Sequence, residues 1–78
     1  MRVDNRPGVA EIDQRNGGYW RLRILFDNEH EPIILRNKLY SRLEEELKNN
    51  YPNIHRMSKS NFEGELTLRT GDCSSLAF

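Results

Sequence analysis

Apolar and polar residues alternate from Val9 to Phe26, on either side of Asn16-Gly17-Gly18. Alternation with a period of two marks a half-buried strand, and asparagine and glycine accept the positive φ of tight turns. The stretch predicts a β-hairpin, for which two loop lengths compete. A loop of Asn16-Gly17 alone sets Ile12 against Arg21 and Glu11 against Leu22, mixing apolar and charged groups on both faces. A loop that includes Gly18 sets Ile12 opposite Leu22, Ala10 opposite Ile24 and Gln14 opposite Trp20, while Glu11 meets Arg23 and Asp13 meets Arg21. Burial selects this second register, because a one-residue slip turns a whole apolar set to the wrong side. The cross-strand ion pairs add only about 0.2–1 kcal/mol each, so they confirm the register more than they enforce it.

Beyond the polar turn Asp27 to Glu31, Pro32 opens the apolar run Ile33-Ile34-Leu35, which predicts a third strand; proline is tolerated at the first position of an edge strand. Asn37 is a candidate N-cap for a helix whose stripe is Leu39, Leu43, Leu47 and Tyr51, with Tyr40 beside it. This every-fourth-residue spacing puts one face against a core. Glu44 lies four residues before Lys48, a favourable pairing, and Asn49-Asn50 with Pro52 ends the helix. Ile54 to Met57 predicts a short strand and Ser58 to Asn61 a break. Phe62, Gly64, Leu66 and Leu68 then alternate with Glu63, Glu65, Thr67 and Arg69, predicting a last strand over Phe62 to Thr70, closed by Gly71-Asp72. The expected fold is α+β in the order βββαββ: a mostly antiparallel sheet of four to five strands with one amphipathic helix packed on one face. Residues 1–8 read as a flexible N-terminal arm, 9–72 as a single α+β domain, and 73–78 as a C-terminal tail whose Leu76 and Phe78 cover an edge or fray.

Composition narrows this picture. The chain has 78 residues, 36% hydrophobic and 31% charged, which fits one domain with a thin core. At this size the balance of burial against chain entropy is close, so a dimer or a bound partner would matter to stability. Lys plus Arg and Asp plus Glu number 12 each, so net charge writes in no attraction to nucleic acid or an acidic membrane. Cys73 stands alone and forms no internal disulfide, and Met1 to Gly8 has no apolar run resembling a signal peptide. A soluble protein of the cytoplasm is expected, since no apolar run approaches the roughly 20 residues that span a bilayer.

Three groups of residues carry candidate chemistry. Arg15, Tyr19, Arg21 and Arg23 share a hairpin face that on an open sheet could stack bases and neutralise phosphates. Asp13 and Glu11 sit opposite two of those arginines, however, so the same face reads as an ordinary solvated surface, or as a protein-binding face with Tyr19, Tyr40 and the arginines as anchors. Glu44, Glu45 and Glu46 form an acidic surface that would act, if functional, by competing with nucleic acid for a basic groove. His30, His55 and Cys73 lack metal-ligand spacing, and a chain this short has little room for a substrate pocket. No catalytic residue, metal or cofactor is assigned. The strand at Phe62 to Thr70 is a candidate edge for pairing with a second copy or a partner's strand.

The helix ending Tyr51-Pro52-Asn53-Ile54, followed by a strand starting Phe62-Glu63, resembles the selenoprotein W type of small thioredoxin-like protein over Leu39 to Thr70. That family carries a Cys-x-x-Cys or selenocysteine motif after its first strand, and the matching region, Phe26 to Pro32, has no cysteine. No redox role is carried over. The order strand, strand, helix fits a ubiquitin-like β-grasp about as well. The expected function is that of a small non-enzymatic protein-interaction module or inhibitor, binding a larger protein through a sheet face or edge and able to form a homodimer. The alternatives are a nucleic-acid binder using the hairpin face and an acidic competitor of nucleic acid.

Overall fold

The computed structural model describes residues 3–71. The expected tail 73–78, with Cys73, lies outside them. The chain forms β1 (Gly8–Arg15), β2 (Tyr19–Phe26), β3 (Ile33–Asn37), α1 (Tyr40–Asn50), β4 (Ile54–Arg56) and α2 (Lys59–Leu66), and then a π-helical turn over Thr67–Gly71. The fold is α+β, with a four-stranded mixed sheet in the order β3-β2-β1-β4.

The hairpin has the three-residue loop: Ala10 pairs with Ile24, Glu11 with Arg23, Ile12 with Leu22, Asp13 with Arg21 and Gln14 with Trp20. Gly17 and Gly18 carry φ of 98° and 78°, the left-handed backbone that the loop needs and other residues resist. Gly8 answers a different need. A Cβ there would lie 2.5 Å from the Leu25 carbonyl oxygen and 2.8 Å from the Phe26 Cα, so β1 and β2 close up only over a residue without a side chain. β3 pairs antiparallel to β2, while β4 pairs parallel to β1. That parallel pairing follows from α1, the crossover that returns the chain to the far side of β1.

Ala10, Leu22, Ile24 and Phe26 on one sheet face close over Leu43 and Leu47 of α1, all buried, with Tyr51 and Ile54 packed against them. The predicted stripe therefore holds at Leu43, Leu47 and Tyr51, but not at its first member, since Leu39 is 56% exposed. Leu39 itself occupies the N-cap position, and Asn37 instead accepts a hydrogen bond from the Leu39 N–H at 2.9 Å in the turn ahead of it. Residues of the expected flexible arm are bonded to the domain. Asp4 N–H donates to the Asn50 carbonyl at 2.7 Å, Asp27 N–H donates to the Pro7 carbonyl at 3.0 Å, and the Arg6 guanidinium lies 3.9 Å above the Phe26 ring.

The expected last strand is a helix, so the order is βββαβα with helices on both sides of the sheet. Ser58 caps it, its hydroxyl accepting from the Asn61 N–H at 3.4 Å. Arg69 pairs with Glu65 four residues earlier at 2.7 Å and donates to the Phe26 carbonyl at 2.8 Å. The alternating set is not buried as a strand face would be: Phe62 is fully buried, whereas Leu68 is 72% exposed. A helix meets what the second sheet face requires, because it lowers Phe62 onto the sheet and brings Glu63 to Arg23. Thus the segment Phe62 to Thr70 offers no sheet edge. The resemblance to the selenoprotein W type, which needs a strand starting at Phe62, fails at the same place.

Candidate functional site

The three hairpin arginines singled out each already have a carboxylate partner. Arg23 is 7% exposed. Its guanidinium lies over the Phe62 ring, with Nε donating to Glu11 at 2.8 Å and Nη2 to Glu63 at 2.7 Å. Burial pulls the Arg23 pKa down, but the hydrogen bonds and charges of Glu63 and Glu11 outweigh it and raise the value above its ordinary level. Arg23 is therefore not a surface residue, since α2 covers it. Arg21 and Arg15 both donate to Asp13, at 3.0 and 3.2 Å, and Lys59 approaches the same carboxylate at 3.8 Å. Only the hairpin end, with Arg15 and Tyr19 half-buried, keeps cation and ring near solvent.

Tyr40 is not part of this group. It sits at the start of α1, edge-on to Trp20 with centroids 4.9 Å apart, and its hydroxyl accepts from Arg56. The acidic run is also divided. Glu44 pairs with Arg56 rather than with Lys48, Glu46 accepts from Asn50 at 2.9 Å, and Glu45 is exposed. Among the described residues, no three His, Cys, Asp or Glu side chains stand close enough to hold a metal ion. No helix among them is long and apolar enough to cross a membrane.

What remains unspent is the edge of the sheet at β3. Asp27 N–H bonds the Pro7 carbonyl, so the odd-numbered residues of β1 and β2 turn their backbone groups toward each other. The even-numbered residues of β2 then face β3, where the pairs Leu22–Leu35 and Ile24–Ile33 complete the ladder. The N–H and C=O groups of Ile34 and Arg36 are left pointing away from the sheet. Side chains at this edge are apolar and accessible, with Ile33 39% and Ile34 40% exposed. Behind it, Leu35 and Asn37 form a groove with Arg42, Leu43, Glu46 and Asn50 of α1. The Asn50 side-chain oxygen is buried with no hydrogen-bond donor.

The opposite edge, β4, is only three residues long and carries His55 and Arg56, two features that discourage strand pairing. Sequence reasoning identified β3 as a strand but placed the candidate pairing edge at Phe62 to Thr70. The available signal was Pro32, a residue that suits an edge strand because it lacks an N–H.

Compared with known proteins, the chain matches no family model, no curated protein and no solved structure.

Proposed function

We propose that this protein is a small non-enzymatic interaction module that joins another protein chain by strand addition at β3. The observation that carries this reading is the outward-facing backbone of Ile34 and Arg36 on an edge lined by exposed isoleucines. Main-chain hydrogen bonds supply the affinity of such a contact, and side-chain pockets supply its selectivity. The groove beside α1 can receive one side chain of an incoming strand. A helix lies on each sheet face, which favours an edge over a face as the docking surface. The hairpin arginines, and Glu44 and Glu46 of the acidic run, are already paired within the chain, which favours neither nucleic-acid binding nor competition with it.

Ile34→Pro tests the reading. It removes the outward N–H without touching the ladder to β2. In affinity capture from the native host, the wild type should retain a chain that Ile34→Pro releases, with the thermal midpoint nearly unchanged. Identical captured chains would sink the β3 assignment. Release by Tyr19→Ala with Arg21→Ala, but not by Ile34→Pro, would move the site to the hairpin end.

A further inference from the structure

Glu31 lies two residues before β3, whereas Arg36 is its penultimate residue and Lys38 follows its last. None of these three has an ion-pair partner among the described residues. An antiparallel neighbour of the same sequence meets this edge with its ends reversed. Lys38 of each copy then lies near Glu31 of the other, whereas Arg36 stays near the middle of the ladder. A parallel copy would set like charge beside like charge.

We propose that the strand added at β3 is β3 of a second copy of this chain, antiparallel about a two-fold axis at Leu35; this rests on the strand-addition reading above. The free backbone groups select that axis. Outward-facing residues of one strand must bond outward-facing residues of the other, and those at this edge are even-numbered. An axis at Leu35 pairs Ile34 with Arg36 of the second copy and Arg36 with its Ile34, satisfying every outward N–H and C=O of both residues. An axis at Ile34 would set Arg36 against Pro32, whose missing N–H leaves the Arg36 carbonyl without a donor. With the axis at Leu35, the half-buried Leu35 side chain also meets Leu35 of the second copy on the α1 face. That contact lengthens the apolar row begun by Leu22. The interface is self-complementary, as closed two-fold dimers require, and it removes the exposed edge from both copies.

Sedimentation equilibrium over a range of concentrations tests this with the wild type, Ile34→Pro, Glu31→Lys and the double variant Arg36→Glu with Lys38→Glu. The wild type should dimerise, and Ile34→Pro should not. Each charge variant alone should dimerise about tenfold more weakly, because its two flanks now carry one sign. An equimolar mixture of the two charge variants should restore the dimer, since an all-basic edge then meets an all-acidic one. These three substitutions lie at exposed positions, so they report even if Ile34→Pro fails to fold. A wild type that stays monomeric overturns the second copy and leaves strand addition to be judged by the capture experiment. A dimer that survives Ile34→Pro overturns the edge, and both proposals with it. Charge variants that dimerise like the wild type overturn the antiparallel pairing.

Discussion

The two faces of the sheet are held down by different physics. Under α1 the contact is hydrocarbon against hydrocarbon: Ala10, Leu22, Ile24 and Phe26 meet Leu43 and Leu47, with no charged group in the cluster. Under α2 the buried set is Leu25 and Phe62 together with Glu11, which is 1% exposed, and Arg23. Removing apolar area from water is favourable and tolerant of direction. Burying a carboxylate and a guanidinium gains little net, because desolvation offsets their attraction. What the ion pairs do provide is direction. Arg23 bonds Glu11 on the neighbouring strand and Glu63 on the helix, so α2 has one favoured seat on the sheet. The α1 face accordingly supplies most of the stability, and the α2 face positions an element whose own apolar anchor is Phe62.

Substitution of the aromatic anchor on each face separates them most. Phe26→Ala should cost about 4 kcal/mol in urea unfolding, with every probe of structure lost together. Phe62→Ala should cost about 2 kcal/mol, because α2 can detach while the hairpin and α1 stay folded. Amide exchange should then quicken in Lys59–Leu66 and stay slow in Leu22–Phe26. Equal losses with common exchange behaviour would show that the faces form one cooperative unit and would break the comparison.

The next effect is electrostatic. Arg23→Ala leaves Glu11 buried opposite an empty site, a loss of about 3 kcal/mol. One Glu11 oxygen already lacks a partner, so removing the whole pair should cost much less than removing half of it. Glu11→Leu with Arg23→Met should recover most of the loss in the same unfolding assay. A double variant as unstable as Arg23→Ala would mean that the charges themselves, rather than the volume they fill, hold this face.

These differences follow the division between what was legible in the sequence and what was not. The hairpin could be read down to its register, because Ile12 and Leu22 are close in sequence and Asn16-Gly17-Gly18 restricts the alternatives. The α1 stripe could be read at Leu43 and Leu47 for the same local reason. α2 was misread because Phe62 and Leu66 satisfy both a period of two and the i, i+4 spacing of a helix. Ser58 ahead of Asn61, a capping serine, was the signal that could have separated them. What selects the helix is distant in sequence: Arg23 and Glu11 need a cover that brings Glu63. The open edge was hidden for a similar reason. Pro32 made β3 fit for an edge, but that β3 stays an edge depends on α1 carrying the chain across to β1, where β4 pairs instead.

The smallest expected effect bears on the same asymmetry, through acid. Burial pushes the Asp13 carboxyl up, but the hydrogen bonds and charge of Arg21, joined by Arg15, outweigh it and hold the group below its ordinary value of 3.8. The unfolded chain therefore takes up that proton first. Asp13 contributes stability that is complete above the ordinary carboxylate range and is lost as pH falls through the folded-state value. Asp13→Asn should lower stability by about 1 kcal/mol at pH 7, an interaction partly screened by solvent. The two proteins should converge in strong acid, which urea midpoints from neutral to acid pH will show. A variant whose stability falls as steeply with acid as that of the wild type would place the acid-sensitive contact elsewhere. Lys59 of α2 approaches the same carboxylate, while the apolar cluster under α1 contains no carboxylate. Acid should therefore quicken amide exchange in α2 before it does so in α1, and the reverse order would remove electrostatics as the distinction between the two faces.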